Sequence, residues 1–384
     1  MNNLCESGDF LGMNNLLGKN SVDSVRITFG MIVLNGEPFT RYNLLSLYPW
    51  AHQIIVVEGA CRTAKAVATP DGHSIDGTLE TLRCFQGGED LEHKVILVSA
   101  YDEGYKDGFW PEKTEMCRAF ARRATGNYLW QVDSDEFYRE LDMENIIKLL
   151  EQGVGRITFP QHSFWGGIDY INKGIGLAIF DRGISGARVF AWGEGFQYKE
   201  HRPPTVVDKE GENVSLRGDV SSAIMTKKGI YRYHYCLVFP SQVFSKVNYY
   251  SVQSQEKTNQ GGGFSSTILS WHELNFKQIT HPFKLHNLPE HLSWIRPFRG
   301  IQPVQVVKMM ADIRDGFISN ELRQTVDINI LLRSKYYRIA TLVLDRIVIL
   351  VMSPLCYPLF RIGMSVKYRL KNYSNKLYRK LIKY

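Results

Sequence analysis

The run Asn127-Tyr128-Leu129-Trp130-Gln131-Val132-Asp133-Ser134-Asp135-Glu136-Phe137-Tyr138 decides how this chain is read. An apolar strand over 128–132 runs straight into three carboxylates, Asp133, Asp135 and Glu136. Packing alone does not end a buried strand this way, because clustered carboxylates repel one another and lose hydration energy. A hard divalent cation relieves both penalties. Mg²⁺ or Mn²⁺ takes one or two protein carboxylates and fills the rest of its shell with water and phosphate oxygens. The stretch therefore reads as a metal–diphosphate site at the C-terminal end of a sheet strand, where open α/β sheets bind ligands. The same triplet also suits an acidic turn capping the next helix, since Asp and Glu favour helix N-termini.

Upstream, residues 1–24 read as a mobile lead-in rich in Asn, Gly and Ser. Residues 25–34 form an apolar run that predicts a buried first strand, closed by the turn Asn35-Gly36-Glu37-Pro38. A helix bearing Leu44, Leu45, Leu47 and Tyr48 follows, then a second strand over 54–57 closed by Glu58-Gly59-Ala60. That spacing is a βαβ unit, which implies parallel strands and a right-handed crossover. A loop over 61–74 reaches Asp76, an N-cap for a helix from Leu79. A third strand covers 94–99, and Pro111 opens a helix that ends near Gly126. Residues 25–138 thus predict a wound α/β half with the acid triplet at a strand end.

Four segments of this half carry a family resemblance. Met31-Ile32-Val33-Leu34-Asn35-Gly36-Glu37 resembles the opening strand and turn of family 2-type glycosyltransferases with the GT-A fold. Gln53-Ile54-Ile55-Val56-Val57-Glu58-Gly59-Ala60 resembles their second strand, and Ser74-Ile75-Asp76-Gly77-Thr78 their Asp-Gly-Thr turn. Asp133-Ser134-Asp135 falls where that family carries its Asp-x-Asp metal motif. The ordered set covers about a third of the 384 residues. One departure stands out. The family has two acids after the second strand, whereas here Glu58 is followed by Gly59, and a long insertion separates it from Asp76.

The resemblance implies a GT-A-like, mostly parallel wound sheet with helices on both faces. It further implies a metal-dependent, inverting transferase that moves a sugar from a nucleotide diphosphate donor to a glycan or lipid-linked acceptor. Asp133 and Asp135 would hold Mn²⁺ or Mg²⁺, which acts as a Lewis acid on the departing diphosphate. Glu58, with Asn35 or Glu37, would accept hydrogen bonds from the base and ribose, beside the Asp76 turn. Arg118 would reach phosphate or sit on a solvated helix face. His234, about a hundred residues beyond the Asp pair, matches a histidine that several GT-A enzymes use as a further metal ligand. It would equally serve as a core histidine in the aromatic strand over 230–239.

Residues 139–330 then form the acceptor side. A strand is expected over 156–160, an aromatic loop over 161–167 and a short strand over 188–190. Trp192, Phe196 and Tyr198 lie near Glu194, Glu200 and His201, a mixture that suits sugar binding. An inverting transferase needs one general base on the acceptor hydroxyl, and the candidates in order are Glu200, Glu194 and Asp219. A helix over 241–250 would turn Lys246, Tyr249 and Tyr250 toward the groove, and Gln260-Gly261-Gly262-Gly263 marks a flexible loop. Two other readings use the same features. One is an Asp-x-Asp phosphoryl-transfer enzyme, although such enzymes carry the pair after their first strand. The other is a non-catalytic, membrane-peripheral glycan-binding protein.

Charge locates a further contact. The formal net charge is +7. Seven basic residues and no acids lie over 367–384 (Lys367, Arg369, Lys371, Lys376, Arg379, Lys380, Lys383), which leaves 39 basic against 39 acidic residues elsewhere. A neutral body with a basic tail argues against nucleic acid and for an anionic surface. The longest uncharged stretch of the apolar segment 337–360 spans 14 residues, about 21 Å as a helix, short of the ~30 Å hydrocarbon core. Residues 331–384 therefore read as a membrane-associating segment on the inner face of the membrane, not a span. Six scattered cysteines without a Cys-x-x-Cys pair argue against a zinc module and for a reducing compartment. The polar start over 1–20 predicts no signal peptide, so the expected location is cytoplasmic.

Overall fold

A computed structural model describes residues 24–174, 177–178, 186–258, 273–285 and 292–351. The expected lead-in before residue 24, the Gln260-Gly261-Gly262-Gly263 loop and the basic tail lie outside the described residues.

The first half alternates strand and helix: β1 (Ile27–Val33), α1 (Thr40–Leu47), β2 (Gln53–Glu58), α2 (Thr78–Gly88), β3 (Val95–Val98), α3 (Lys113–Arg123) and β4 (Tyr128–Val132). β1 lies between β2 and β4 and pairs with both in parallel, and β2 pairs in parallel with β3. The chain therefore winds outward from β1 to β3 and jumps back to place β4 on the other side of β1. That reversal makes a topological switch point, where the loops leaving neighbouring strands part and open a crevice. β1 and β4 are mostly apolar, with Thr28 and Gln131 as buried exceptions, and both are covered on both faces, as a parallel sheet requires.

Helices cover both faces. Leu44 and Leu47 of α1, Leu82 and Phe85 of α2, and Met143 and Ile146 of α4 (Glu140–Leu150) pack with Phe29, Met31 and Trp130 on one side. Met116, Cys117 and Phe120 of α3 pack with Ile55, Val57 and Leu129 on the other. Gly30 in β1 admits α3 to the sheet: a Cβ there would fall 2.4 Å from Cδ2 of the buried Phe120 ring. Gly30→Ala should therefore destabilise the fold by about 1–3 kcal/mol through overpacking, read by urea unfolding.

The second half completes this sheet and builds another. Its elements are β5 (Glu136–Phe137), β6 (Arg156–Thr158), β7 (Gln161–Trp165), β8 (Tyr170–Gly174), β9 (Ala187–Ala191), β10 (Gln197–His201), β11 (Pro204–Val207), β12 (Asp219–Val220), α5 (Ser222–Lys227), β13 (Arg232–Leu237), α6 (Pro240–Thr258), β14 (Ser293–Pro297), α7 (Val304–Arg314), α8 (Val326–Arg333) and α9 (Lys335–Val351). The main sheet runs β12-β6-β9-β4-β1-β2-β3, so strands from both halves share it. A five-stranded sheet runs β14-β8-β7-β13-β5, and β10 and β11 form a hairpin. The aromatic loop expected over 161–167 is a strand, β7, held by β13 on one side and β8 on the other. Only Gly166 and Gly167, both with positive φ, behave as the turn that was expected.

At the C-terminal end, α9 docks by one face: Tyr337 and Thr341 are buried, and Asp345 accepts hydrogen bonds from Trp294 and Arg296. Among the described residues no helix is long and apolar enough to cross a membrane. The part of the expected membrane segment beyond Val351 lies outside the described residues.

Candidate active site

A cleft of about 280 Å³ opens at the switch point. Its floor is the end of β1 with Asn35, Gly36 and Glu37, the β2 exit at Gly59 and Cys61, and Asp133, Ser134 and Asp135 after β4. Its walls are Lys113 and Met116 of α3, His201 at the end of β10 and Arg202 after it, His234 and Cys236 of β13, and Lys246 and Tyr249 of α6. Gly36 lets the β1–α1 turn close on the acid loop, because a Cβ there would lie 2.8 Å from Thr40 Oγ1 and 3.1 Å from Ser134 Oγ.

The acid loop is fixed by its backbone. The Glu136 amide donates to the Asp133 carbonyl at 3.0 Å, the Tyr235 amide to the Asp135 carbonyl at 2.9 Å, and the Asn43 side chain to the Glu136 carbonyl at 2.6 Å. β5 then pairs antiparallel with β13 in a register that sets His234 opposite Glu136. This pairing carries a histidine from about a hundred residues downstream to the acid loop.

The three acids are not equivalent. Glu136, read from sequence as part of the cation-binding cluster, turns away from the cleft and is fully buried. Arg188 holds it bidentately at 2.8 and 3.0 Å, and Arg232 stands 3.0 Å away. Burial would raise its pKa, but the two guanidinium charges outweigh burial and hold it below the ordinary value. Its function is therefore internal neutralisation.

Asp133 and Asp135 both face the cleft. Arg188 lies 3.5 Å and Arg202 3.9 Å from Asp133 Oδ2. Asp135 Oδ1 is 3.4 Å from His234 Nε2, and its Oδ2 accepts from Lys246 Nζ at 3.1 Å and Gln242 Nε2 at 3.2 Å. Burial opposes ionisation of both, yet the facing cations hold both well below the usual carboxylate range. His201, buried and beside Arg202, is pushed down to about 3, so it is neutral near pH 7.

Of the residues singled out from sequence, the structure brings Asn35, Glu37, Asp133, Asp135, His201, His234, Lys246 and Tyr249 to one cleft. Asn35 takes φ 55° and ties the following loop to β1: its Nδ2 donates to the Val67 carbonyl and its Oδ1 accepts from the Ile75 amide, both at 2.8 Å. Glu37 is pushed upward by burial, and its Oε1 is buried without a hydrogen-bond partner.

The others stand elsewhere. Glu58 is buried outside the cleft lining, and its carboxylate clamps the inserted loop through His73 Nδ1 at 2.6 Å and the Ser74 amide and hydroxyl at 2.8 Å. Asp76 is exposed and braces the start of α2, which begins at Thr78. Its Oδ1 accepts from the Thr78 amide at 3.1 Å and its Oδ2 from the Glu37 amide at 2.9 Å. Arg118 points from α3 to the β10 carbonyls of Lys199 and Tyr198, away from the cleft.

None of the three general-base candidates lines the cleft. Glu194 and Glu200 are exposed, and Asp219 lies on the edge strand β12 in a two-point ion pair with Arg156 at 2.9 Å. Strict alternation from buried Tyr198 would turn Glu200 inward. A register irregularity between Tyr198 and Glu200 shifts the phase, and His201 turns inward instead.

The sequence reading missed Arg188, Arg202 and Lys113, and it placed His201 only among the sugar-binding aromatics. A buried strand with one arginine, Ala-Arg-Val-Phe-Ala in β9, was the available signal for Arg188, since a charge there requires a buried partner.

No protein-family model matches this sequence, and no curated protein does. Solved structures with some likeness include S. aureus TarS 1-349, at TM-score 0.36 and 9% identity over 69% of this chain and 76% of that one. The same protein in complex with UDP-GlcNAc gives TM-score 0.33 and 11% identity, over 69% of this chain and 77% of that one. Mycobacterium tuberculosis glucosyl-3-phosphoglycerate synthase, in complex with Mn²⁺, UDP and glucosyl-3-phosphoglycerate, gives 0.28 and 14%, over 44% of this chain and 57% of that one. Likenesses this weak do not establish a shared fold or activity.

Proposed function

We propose that this protein is a GT-A-type glycosyltransferase of the family 2 kind, which transfers a sugar from a nucleotide diphosphate donor with a Mn²⁺ or Mg²⁺ ion at Asp133 and Asp135. The observation that carries this reading is the pair of ionised aspartates facing one cleft at the β1–β4 switch point, between the tips of β1 and β2 and a wall of cations. The donor set fits a hard ion. Among the described residues no three His, Cys, Asp or Glu side chains form a ready metal cage. Mg²⁺ and its relatives need only one or two carboxylates when phosphate and water complete the shell. When bound, the ion would neutralise charge on the departing nucleoside diphosphate.

The chain's own residues do the rest. Asp133 and Asp135 supply the carboxylates, and His234 stands beside Asp135 as a further donor. Lys113, Arg202 and Lys246 supply positive charge for the diphosphate, and the Asn35–Glu37 turn forms the floor for the nucleoside. The reading includes an inverting course and a glycan or lipid-linked acceptor.

A panel of UDP-, GDP-, CMP- and dTDP-sugars, each with and without Mn²⁺, tests it by thermal shift. One nucleotide should stabilise the protein only with metal, by roughly 2.7 kcal/mol at a hundredfold excess over Kd. No shift with any pair would overturn the reading. A non-catalytic glycan-binding protein is the second reading, and the outward-facing Glu194, Glu200 and Asp219 favour it. It requires that donor binding occur without release of nucleotide.

The same reading puts the enzyme on the inner face of an anionic membrane. Tyr336, Ile339, Val343, Ile347 and Leu350 form one exposed stripe on α9, at least 40% exposed at each position. Lys335, Arg338 and Arg346 flank it, and eight basic residues and no acids follow over 352–384. Folding that tail onto α9 would set cations against cations, whereas an anionic bilayer complements both stripe and tail. Ile339→Glu combined with Val343→Glu should cut co-sedimentation with phosphatidylglycerol vesicles by at least ~10-fold while the melting temperature holds. Unchanged sedimentation, or loss of a dimer in its place, would contradict membrane docking.

A further inference from the structure

We infer that Lys246 is a placeholder cation, which pairs with Asp135 in the cleft and exchanges it for the diphosphate when nucleotide and metal arrive together. The inference rests on the donor-binding reading of the cleft and adds to it a coupling between two ligands.

Both oxygens of Asp135 already have partners. His234 Nε2 lies 3.4 Å from Oδ1, while Lys246 Nζ at 3.1 Å and Gln242 Nε2 at 3.2 Å share Oδ2. A divalent ion bonds carboxylate oxygen at about 2.0–2.2 Å, so an ion on Oδ2 would come within a few ångström of the ammonium. The two charges repel, and the ammonium must swing away. Lys246 also donates to the Cys236 carbonyl at 2.7 Å, an anchor on the cleft wall that keeps the ammonium facing the cavity.

Asp133 is similarly engaged by Arg188 and Arg202. A divalent ion entering alone adds positive charge to a cleft that already contains Lys113, Arg202 and Lys246. A diphosphate entering alone meets Asp133 and Asp135, both ionised. Entering together, the metal takes the carboxylates and the phosphate oxygens take the displaced ammonium. Each ligand thus removes the obstacle to the other, which is positive coupling, and coupling between binding sites is reciprocal.

The test measures Mn²⁺ alone by the EPR signal of the free ion, and UDP, GDP, CDP and dTDP by calorimetry with Mn²⁺ or with EDTA. Wild type should bind Mn²⁺ weakly alone and about 5–150-fold more tightly with one of the diphosphates, after correction for metal chelated by nucleotide in a protein-free blank. Lys246→Met keeps the aliphatic stem and removes the charge. It should bind Mn²⁺ alone at least ~10-fold more tightly than wild type, with coupling reduced toward one. Lys246→Arg, which restores a cation, should restore the coupling. Unchanged Mn²⁺ affinity or unchanged coupling in Lys246→Met would overturn the exchange while leaving donor binding intact. If wild type binds neither Mn²⁺ nor any diphosphate in any combination, the donor-binding reading itself falls.

Discussion

Asp135→Ala is expected to lower metal-dependent release of nucleoside diphosphate from the donor by roughly a thousandfold. Slow hydrolysis of the donor reports the sugar–phosphate cleavage step without knowledge of the acceptor. The magnitude follows from chemistry at the leaving group, where a bound metal contributes several kcal/mol of charge stabilisation and each ~1.4 kcal/mol is tenfold in rate. Asp135 is the better probe of the pair. Its three side-chain partners, His234, Gln242 and Lys246, all reach it from β13 and α6 at the cleft wall, so its loss leaves the buried Glu136–Arg188 pair untouched. The fold should therefore survive, and chromatography measures released diphosphate directly. Full release by Asp135→Ala with wild-type metal dependence would contradict the assigned role.

Glu136→Gln is expected to destabilise the protein by roughly 3–5 kcal/mol, the range for removing one partner of a buried ion pair. The carboxylate has no exposure and faces Arg188 at 2.8 Å and Arg232 at 3.0 Å, both nearly fully buried. The neutral amide would leave Arg232 without its carboxylate partner and Arg188 with only the more distant Asp133, at 3.5 Å. The effect has a pH signature. Glu136 is held below its ordinary value, with burial raising it and the two arginines outweighing burial. A carboxylate depressed on folding stabilises the fold above its unfolded pKa, about 4.3, and loses that contribution as pH falls through the folded value. The gap between wild type and Glu136→Gln should therefore be full at neutral pH and close below about pH 4, as measured by urea unfolding at several pH values. A gap of constant size across that range would point to packing instead of charge.

These two acids, one residue apart, illustrate how much of the site the sequence discloses. The strand-to-acid transition at Val132 and Asp133 was legible because a mostly apolar run ends in a cluster of charge, and β1 and β2 were legible from their apolar runs. The division of labour among the acids was not. It depends on Arg188 and Arg232, which arrive from β9 and β13, far along the chain. Neither spacing nor periodicity encodes a pairing that exists only once the sheets assemble.

The acceptor side failed for a related reason. Glu200 was chosen on type and proximity to aromatics, and one register irregularity in β10 exchanged the directions of Glu200 and His201. Glu58 was expected at the nucleotide, and the inserted loop that follows it uses both of its oxygens through His73 and Ser74. Lys246 was expected to face the groove, but its contact with Asp135 follows from how α6 lies against β13.

The most direct measurement is anomalous scattering from Mn²⁺ in crystals grown with the diphosphate that the binding panel selects. The expected result is one Mn²⁺ peak in the β1–β4 cleft, bonded to Asp133 and Asp135 oxygens at about 2.0–2.2 Å, with diphosphate oxygens completing its shell. A diphosphate bound in the cleft with no metal on either aspartate, or a metal bound away from both, would contradict the central claim.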